Sequence, residues 1–185
     1  FPFGFKELEG IHSRTDFDLK QHEEFSKKKL RYFDPEKNES YVPYVIETSI
    51  GLDRMFLAIM SHSLKEEVLE DGIKRTVLSL PPSLSPTKAA ILPLVRKDGL
   101  DDKAKAILNE LKLDFECSYD EKDSIGKRYR RNDALGTPFC ITIDHDTAKD
   151  NAVTVRERDT MLQSRIPVNE LHSFIGEKVS MKSIF

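Results

Sequence analysis

Cysteine is scarce in this sequence. Only Cys117 and Cys140 occur among 185 residues, and they lack the spacing of a metal site, so neither a zinc ribbon nor a disulfide framework is expected. A reduced, cytoplasmic setting is the plain expectation. Long apolar runs are also missing. None approaches the ~20 residues that cross a bilayer, which excludes a helical membrane anchor in this stretch. Basic excess is absent too: 29 Lys and Arg stand against 32 Asp and Glu, a net charge of −3. A globally cationic nucleic-acid binder is thereby excluded, and any RNA contact must use a local patch. The five histidines show no metal pairing and no triad. The opening Phe1-Pro2-Phe3-Gly4-Phe5 has neither Met nor a charged n-region, so it is not a signal peptide and reads as a piece of a longer protein. What is present is a soluble, globular balance of 38% apolar and 33% charged residues, with no bias towards disorder. The length suits one large domain, or one small domain plus a fragment.

Periodicity predicts a strand over 6–14. Asp18 is the N-cap of a predicted helix over 19–29, with Glu23→Lys27 and Glu24→Lys28 as i,i+4 pairs. Asp34-Pro35-Glu36-Lys37-Asn38 reads as a turn, and Tyr41 to Ser49 as a strand broken by Gly51. Leu52, Met55, Phe56 and Ile59 then mark a helix over 50–62. The charged stretch 64–74, with its Asp71-Gly72 turn, places a domain boundary at residue 72, giving 1–72 and 73–185. Beyond it lie predicted strands at 76–80, 89–95, 115–119, 139–144 and 152–156. The last two read as a hairpin. Residues 81–86 read as a Pro-rich connector. Helices are predicted around Leu100–Leu111, over 125–135 with Gly136 as the stop, and around Val168–Ile175. This alternation argues for an α/β domain with a mixed sheet.

Chemistry concentrates in three places. In Glu47-Thr48-Ser49-Ile50-Gly51-Leu52-Asp53-Arg54, Glu47 and Ser49 share one strand face, and Gly51 permits close approach of a ligand. Arg54 falls in the first helical turn, where backbone N–H groups and a guanidinium suit phosphate. A nearby carboxylate suits an ammonium group. The plain alternative is an exposed strand and solvated charges. In Glu7-Leu8-Glu9, two carboxylates at i and i+2 favour a cation between them, such as Mg²⁺ with nucleotide phosphates; a solvated face is the alternative. Lys127-Arg128-Tyr129-Arg130-Arg131 offers four cations and an aromatic for phosphates and base stacking, or else a solvated helix face. Arg156, Glu157, Arg158 and Asp159 suit RNA or salt bridges alike. Cys117 and Cys140 read as buried thiols on strands.

Taken together, the blocks resemble one family. Glu7 to Ile11 and Arg14 to Leu19 are similar to a stretch of the catalytic domain of dimeric-type glycyl-tRNA synthetases. Tyr41 to Arg54 resembles that family's version of class II motif 3. Ile125 to Pro138 and Val155 to Thr160 resemble its anticodon-binding domain. The resemblance runs along nearly the whole chain in the right order. It implies the end of an antiparallel-sheet catalytic domain over 1–72 and an anticodon-binding domain over 73–185.

The resemblance also implies roles. Glycine would be bound by Glu47, Thr48, Ser49, Ile50 and Gly51, with Glu47 on the α-ammonium group. ATP would be bound by Glu7, Leu8, Gly51, Leu52, Asp53 and Arg54. Arg54 and Glu7 would be catalytic, Glu7 also facing the Mg²⁺ that ATP carries. Lys127, Arg128, Arg130, Arg131, Arg156 and Arg158 would contact tRNA. ATP with Mg²⁺ enters as a substrate complex, with no tightly bound cofactor. The implied partners are glycine, ATP, tRNA(Gly) and a second copy of the full-length protein, with no DNA and no membrane. The glycine carboxylate is itself the nucleophile, so the protein positions groups and stabilises charge. Side chains larger than that of glycine are excluded sterically. Thr48 stands where the family has proline, which keeps β propensity. Motifs 1 and 2 are missing, so this stretch alone is expected not to form glycyl-adenylate. The alternatives are a non-catalytic relative, like the accessory subunit of mitochondrial DNA polymerase, and a free-standing tRNA-binding module. Glu47, Ser49 and Arg54 argue against the first, and the substrate-side motifs of 1–62 against the second.

Overall fold

The computed structural model describes residues 4–70 and 72–183. Phe1–Phe3, of the opening segment, and Asp71, of the predicted turn, lie outside them. The chain divides into two compact units between Ala58 and Ile59.

The first unit comprises β1 (Glu9–Thr15), α1 (Phe17–Ser26), the short strands β2 (Tyr32–Asp34) and β3 (Glu39–Tyr41), β4 (Val45–Ile50) and the start of α2 (Leu52–Ser63). β1 and β4 pair antiparallel, with Gly10 opposite Ser49, Ile11 opposite Thr48 and His12 opposite Glu47. Residues directly opposite share a face, so one face carries His12, Glu47 and Ser49. The other carries Ile11, Ile46 and Ile50, which are 68%, 65% and 51% exposed.

Several boundaries differ from expectation for local reasons. The predicted strand 41–49 splits, because Pro43 has no N–H to give a ladder; β3 ends at Tyr41 and β4 begins at Val45. Helix α1 starts at Phe17, with Asp16 rather than Asp18 in the cap position. The Asp18 carboxylate is instead taken by Arg14. Lys27 turns left-handed at φ 58° and ends the helix, so the expected pairs to Lys27 and Lys28 do not form. Glu23 accepts from the Leu30 N–H and from Arg31 instead.

In the second unit, β5 (Leu64–Val68) and β6 (Lys74–Leu78) form an antiparallel hairpin. The charged stretch read as a boundary is therefore itself a strand, and the units part earlier than residue 72. The main sheet contains β7 (Ala89–Pro93), β8 (Cys117–Tyr119), β9 (Phe139–Ile143), β10 (Ala152–Glu157) and β11 (Gln163–Pro167), in the order β11-β10-β9-β7-β8. β7 runs parallel to β8 and β9, and β10 antiparallel to β9 and β11. This is the mixed α/β sheet the sequence predicts. Of this sheet's strands, β11 was not foreseen.

Alternation sorts the strand residues to two sides. Ala89, Ile91, Phe139, Ile141, Ile143, Val153 and Val155 pack with Leu100, Ala104, Ile107 and Leu111 of α3 (Leu100–Leu111) and with Leu171 and Ile175 near the C-terminus. Each fully buried Leu or Ile contributes roughly 1.5–3 kcal/mol. Ala90, Leu92 and Cys140 face the other way, against Ile125 and Tyr129 of α4 (Ile125–Leu135). α4 ends where expected, at Gly136 with φ 81°. An added Cβ there would lie 3.1 Å from the side chain and the carbonyl oxygen of Leu78. The link between β9 and β10 is not a simple turn but contains a helical turn, α5 (Thr147–Asp150), and α6 (Leu171–Val179) closes the domain.

Candidate functional site

In the first unit the polar face of β1 and β4 gathers the glycine-binding candidates. Glu47 and Ser49 lie on it together, as their spacing predicts. Arg14, which sequence reasoning did not single out as a site residue, reaches Glu47: its Nη1 lies 3.2 Å from Glu47 Oε2. Asp18 grips the same guanidinium, with Arg14 Nε 2.5 Å and Nη2 2.9 Å from its two oxygens. Hydrogen bonding to Asp18 raises the Arg14 pKa, and the Asp18 carboxyl is correspondingly lowered. The only sequence signal for Arg14 was its place four residues before Asp18. Glu47 remains 41% exposed and Ser49 is exposed. The face is thus open, not a closed small cavity.

At the strand-to-helix junction the backbone closes tightly. Gly51 N–H donates to the Leu8 carbonyl at 3.2 Å, and Met55 N–H to the Gly51 carbonyl at 2.9 Å. Arg54 Nη1 donates to the Glu7 carbonyl at 2.5 Å. Arg54 therefore links α2 to the segment before β1, through Glu7's backbone and not its carboxylate. An added Cβ at Gly51 would meet Arg54 side-chain carbons at 3.6 Å, an ordinary contact, so the fold itself does not demand glycine there. Thr48 and Ile50 point to the opposite face from Glu47 and Ser49, and only their backbone belongs to the polar edge. Leu52 and Asp53 are exposed in the first turn. Glu7 precedes β1, and Glu9 stands opposite Ile50, on the apolar face. The two carboxylates thus do not share a strand face. Among the described residues no cluster of three or more His, Cys, Asp or Glu is placed to hold a metal ion.

In the second unit the candidate RNA residues separate into two groups. Arg128, Arg156 and Arg158 are 1%, 4% and 2% exposed. Arg128 donates to the carbonyls of Pro93, Leu94 and Asp120. Arg158 donates to those of Leu80 and Gly136 and pairs with Asp159. Both are buried clasps held by backbone carbonyls, so the expectation that they touch RNA is corrected. Arg156 forms a two-pronged pair with Asp133, at 2.8 and 3.1 Å, and its guanidinium lies 4.9 Å over the Tyr129 ring. Lys127 is exposed. Arg131 is half-exposed but held by Asp120 and Asp123.

Arg130 is different. Its side chain is 38% exposed, yet Nη1 is buried and has no hydrogen-bond partner. It borders an open cleft of about 240 Å³ lined by Gly126, Tyr129, Arg130, Arg156, Met161 and Gln163. Tyr129 is fixed by its hydroxyl 2.7 Å from Thr142 Oγ1. An aromatic floor, a guanidinium with a free donor and a side amide suit a planar, acceptor-rich ligand. The thiols take no part. Burial pushes Cys140 up to about 12 and Cys117 up to about 11, so both are inert at neutral pH.

Residues 88–178 match the family described as "Anticodon binding domain". The glycine–tRNA ligase of Chlorobaculum tepidum is 50% identical over 97% of this chain and 38% of its own length. Those of Geobacillus thermodenitrificans and Clostridium tetani are each 55% identical over the same shares. The chain thus spans about 38% of the length of the curated relatives it matches. Among solved structures, the RNA binding domain of threonyl-tRNA synthetase from Cryptosporidium parvum superposes with a TM-score of 0.62 at 26% identity, covering 80% of this chain and 35% of that one. The chain is therefore similar to the glycine–tRNA ligases along nearly all of its own length, and residues 88–178 match the anticodon binding domain family.

Proposed function

We propose that the chain is the C-terminal portion of a glycine–tRNA ligase, which activates glycine with ATP and passes it to tRNA(Gly). The observation that carries this is the polar face of β1 and β4, where Glu47, braced by Arg14, stands beside Ser49 one strand end away from Arg54. Glu47 receives the α-ammonium group of glycine, and Arg14 holds that carboxylate in place. Ser49 offers a hydroxyl to the same small ligand. Arg54 and the N-terminus of α2 present positive charge to the ATP phosphates. Exposed Glu7 meets the Mg²⁺ that arrives with ATP, while Leu8, Gly51, Leu52 and Asp53 shape the backbone around the nucleotide. No covalent residue is required: positioning and charge stabilisation carry the reaction.

The rest of the catalytic domain in the longer protein covers the apolar face of Ile11, Ile46 and Ile50. It also supplies motifs 1 and 2, so this chain by itself does not form the adenylate. The cleft beside Arg130 takes a base of the anticodon arm, with Lys127 on the phosphates. A homodimer and a cytoplasmic setting are carried by the resemblance alone. Glycine-dependent ATP–pyrophosphate exchange by the parent-length protein tests the reading. Exchange with glycine and not with alanine is expected. No exchange with any amino acid would leave a non-catalytic RNA-binding relative in its place.

A further inference from the structure

We propose that Asp133 is a positioning residue of the cleft: it fixes Arg156 against Tyr129 and leaves Arg130 free to bond RNA. The proposal rests on the tRNA reading above. Asp133 is fully buried in α4. Its Oδ1 accepts from Arg156 Nη1 at 2.8 Å, and its Oδ2 from Arg156 Nη2 at 3.1 Å and Arg75 Nη1 at 3.4 Å. Arg75, reaching in from β6, is itself anchored: its Nη2 donates to the Arg158 carbonyl at 3.0 Å, and its Nε lies 3.0 Å from Glu67. Both carboxylate oxygens are thus occupied. Arg130 Nη1 stays 3.9 Å from Asp133 Oδ2, near enough to be attracted and too far to bond.

Three guanidinium groups therefore compete for one carboxylate, and geometry decides which is left over. Arg156 and Arg75 are buried and fixed. Arg130, part-exposed on α4, is the one that makes no hydrogen bond to Asp133 and borders the cleft. A ligand in the cleft can bring an acceptor to the exposed part of this guanidinium. A base carbonyl or a phosphate oxygen does so. Arg156, buried and committed to Asp133, lies across Tyr129 and fixes that ring beside the cleft. The carboxylate touches no ligand; it acts through the two arginines that border the cleft.

The test uses this chain and two RNA hairpins, one carrying the glycine anticodon loop and one with its anticodon bases replaced, read by fluorescence anisotropy. Asp133→Asn keeps the shape and removes the charge. It is expected to lower the preference for the glycine hairpin on the order of tenfold, and to add nothing further in an Arg130→Gln background. Equal weakening of both hairpins, or additive losses with Arg130→Gln, would overturn the proposal by reducing Asp133 to a structural role. Should Asp133→Asn fail to fold, Arg75→Gln reports instead. It takes one of the two donors off Oδ2, Arg130 closes onto Asp133, and the preference falls; an unchanged preference overturns the proposal. A wild-type chain that prefers neither hairpin sinks the tRNA reading and this proposal with it. Preference in the wild type that survives in every variant sinks this proposal alone.

Discussion

In the first unit Glu47, Ser49 and Arg14 stand on an open sheet face, and the isoleucines behind them are more than half exposed. In the second, Arg75, Arg128 and Arg158 are at most 2% exposed, and the apolar residues close over one another. The same residue type therefore serves opposite ends. An arginine on an open face can brace an exposed carboxylate, as Arg14 does for Glu47. An arginine buried against carbonyls and a carboxylate belongs to the fold. Sequence-level charge counting cannot separate the two, and the contrast has measurable consequences.

The largest effect is expected at the most buried carboxylate. Asp133→Ala strands Arg75 and Arg156 in the interior and should destabilise the second unit by about 3–5 kcal/mol in urea unfolding. A loss below about 1 kcal/mol would mean that the two arginines find water or other partners. Arg128→Ala comes next, since three strand-end carbonyls lose their donor; about 2 kcal/mol is expected from the same measurement. Lys127→Ala, one residue away and exposed, should leave stability within about 0.5 kcal/mol. It should weaken RNA binding with a shallower salt dependence. Gly136→Ala is expected to cost about 1–2 kcal/mol, because φ 81° strains an L-residue and the new Cβ crowds Leu78.

The smallest effect is electrostatic. Hydrogen bonding from Arg165 holds the Asp150 carboxyl down at about 2, from an ordinary 3.8. Its folded-state pKa is depressed, so its stabilisation is present above the unfolded value and is lost as pH falls from about 4 through 2. Asp150→Asn should flatten that acid limb of the stability curve; an unaltered limb would show that the exposed pair contributes nothing.

Much of this was legible in the sequence, for reasons that individual residues make plain. Helix α4 was readable because Gly136 supplies its left-handed stop. The shared face of Glu47 and Ser49 followed from strand alternation alone. Arg14 as Glu47's partner was not readable, since the pairing depends on the register of two strands distant in sequence. β11 was missed because Gln163-Ser164-Arg165 is polar, as an edge strand can be. β2 and β3 were missed because three-residue strands leave no period to detect. The burial of Arg128 and Arg158 was hidden by their place in charge-rich runs. Such runs usually signal a solvated face, and only the positions of carbonyl groups from elsewhere in the fold reveal otherwise.

The division of labour between the open face and the closed domain is tested most directly by Glu47→Ala in the parent-length protein. Glycine-dependent pyrophosphate exchange and tRNA(Gly) affinity should be followed on the same preparation. Exchange is expected to fall by at least a hundredfold, about 2.7 kcal/mol of lost transition-state stabilisation, while tRNA(Gly) affinity stays within twofold. Near-wild-type exchange, or exchange and affinity falling together, would contradict the account.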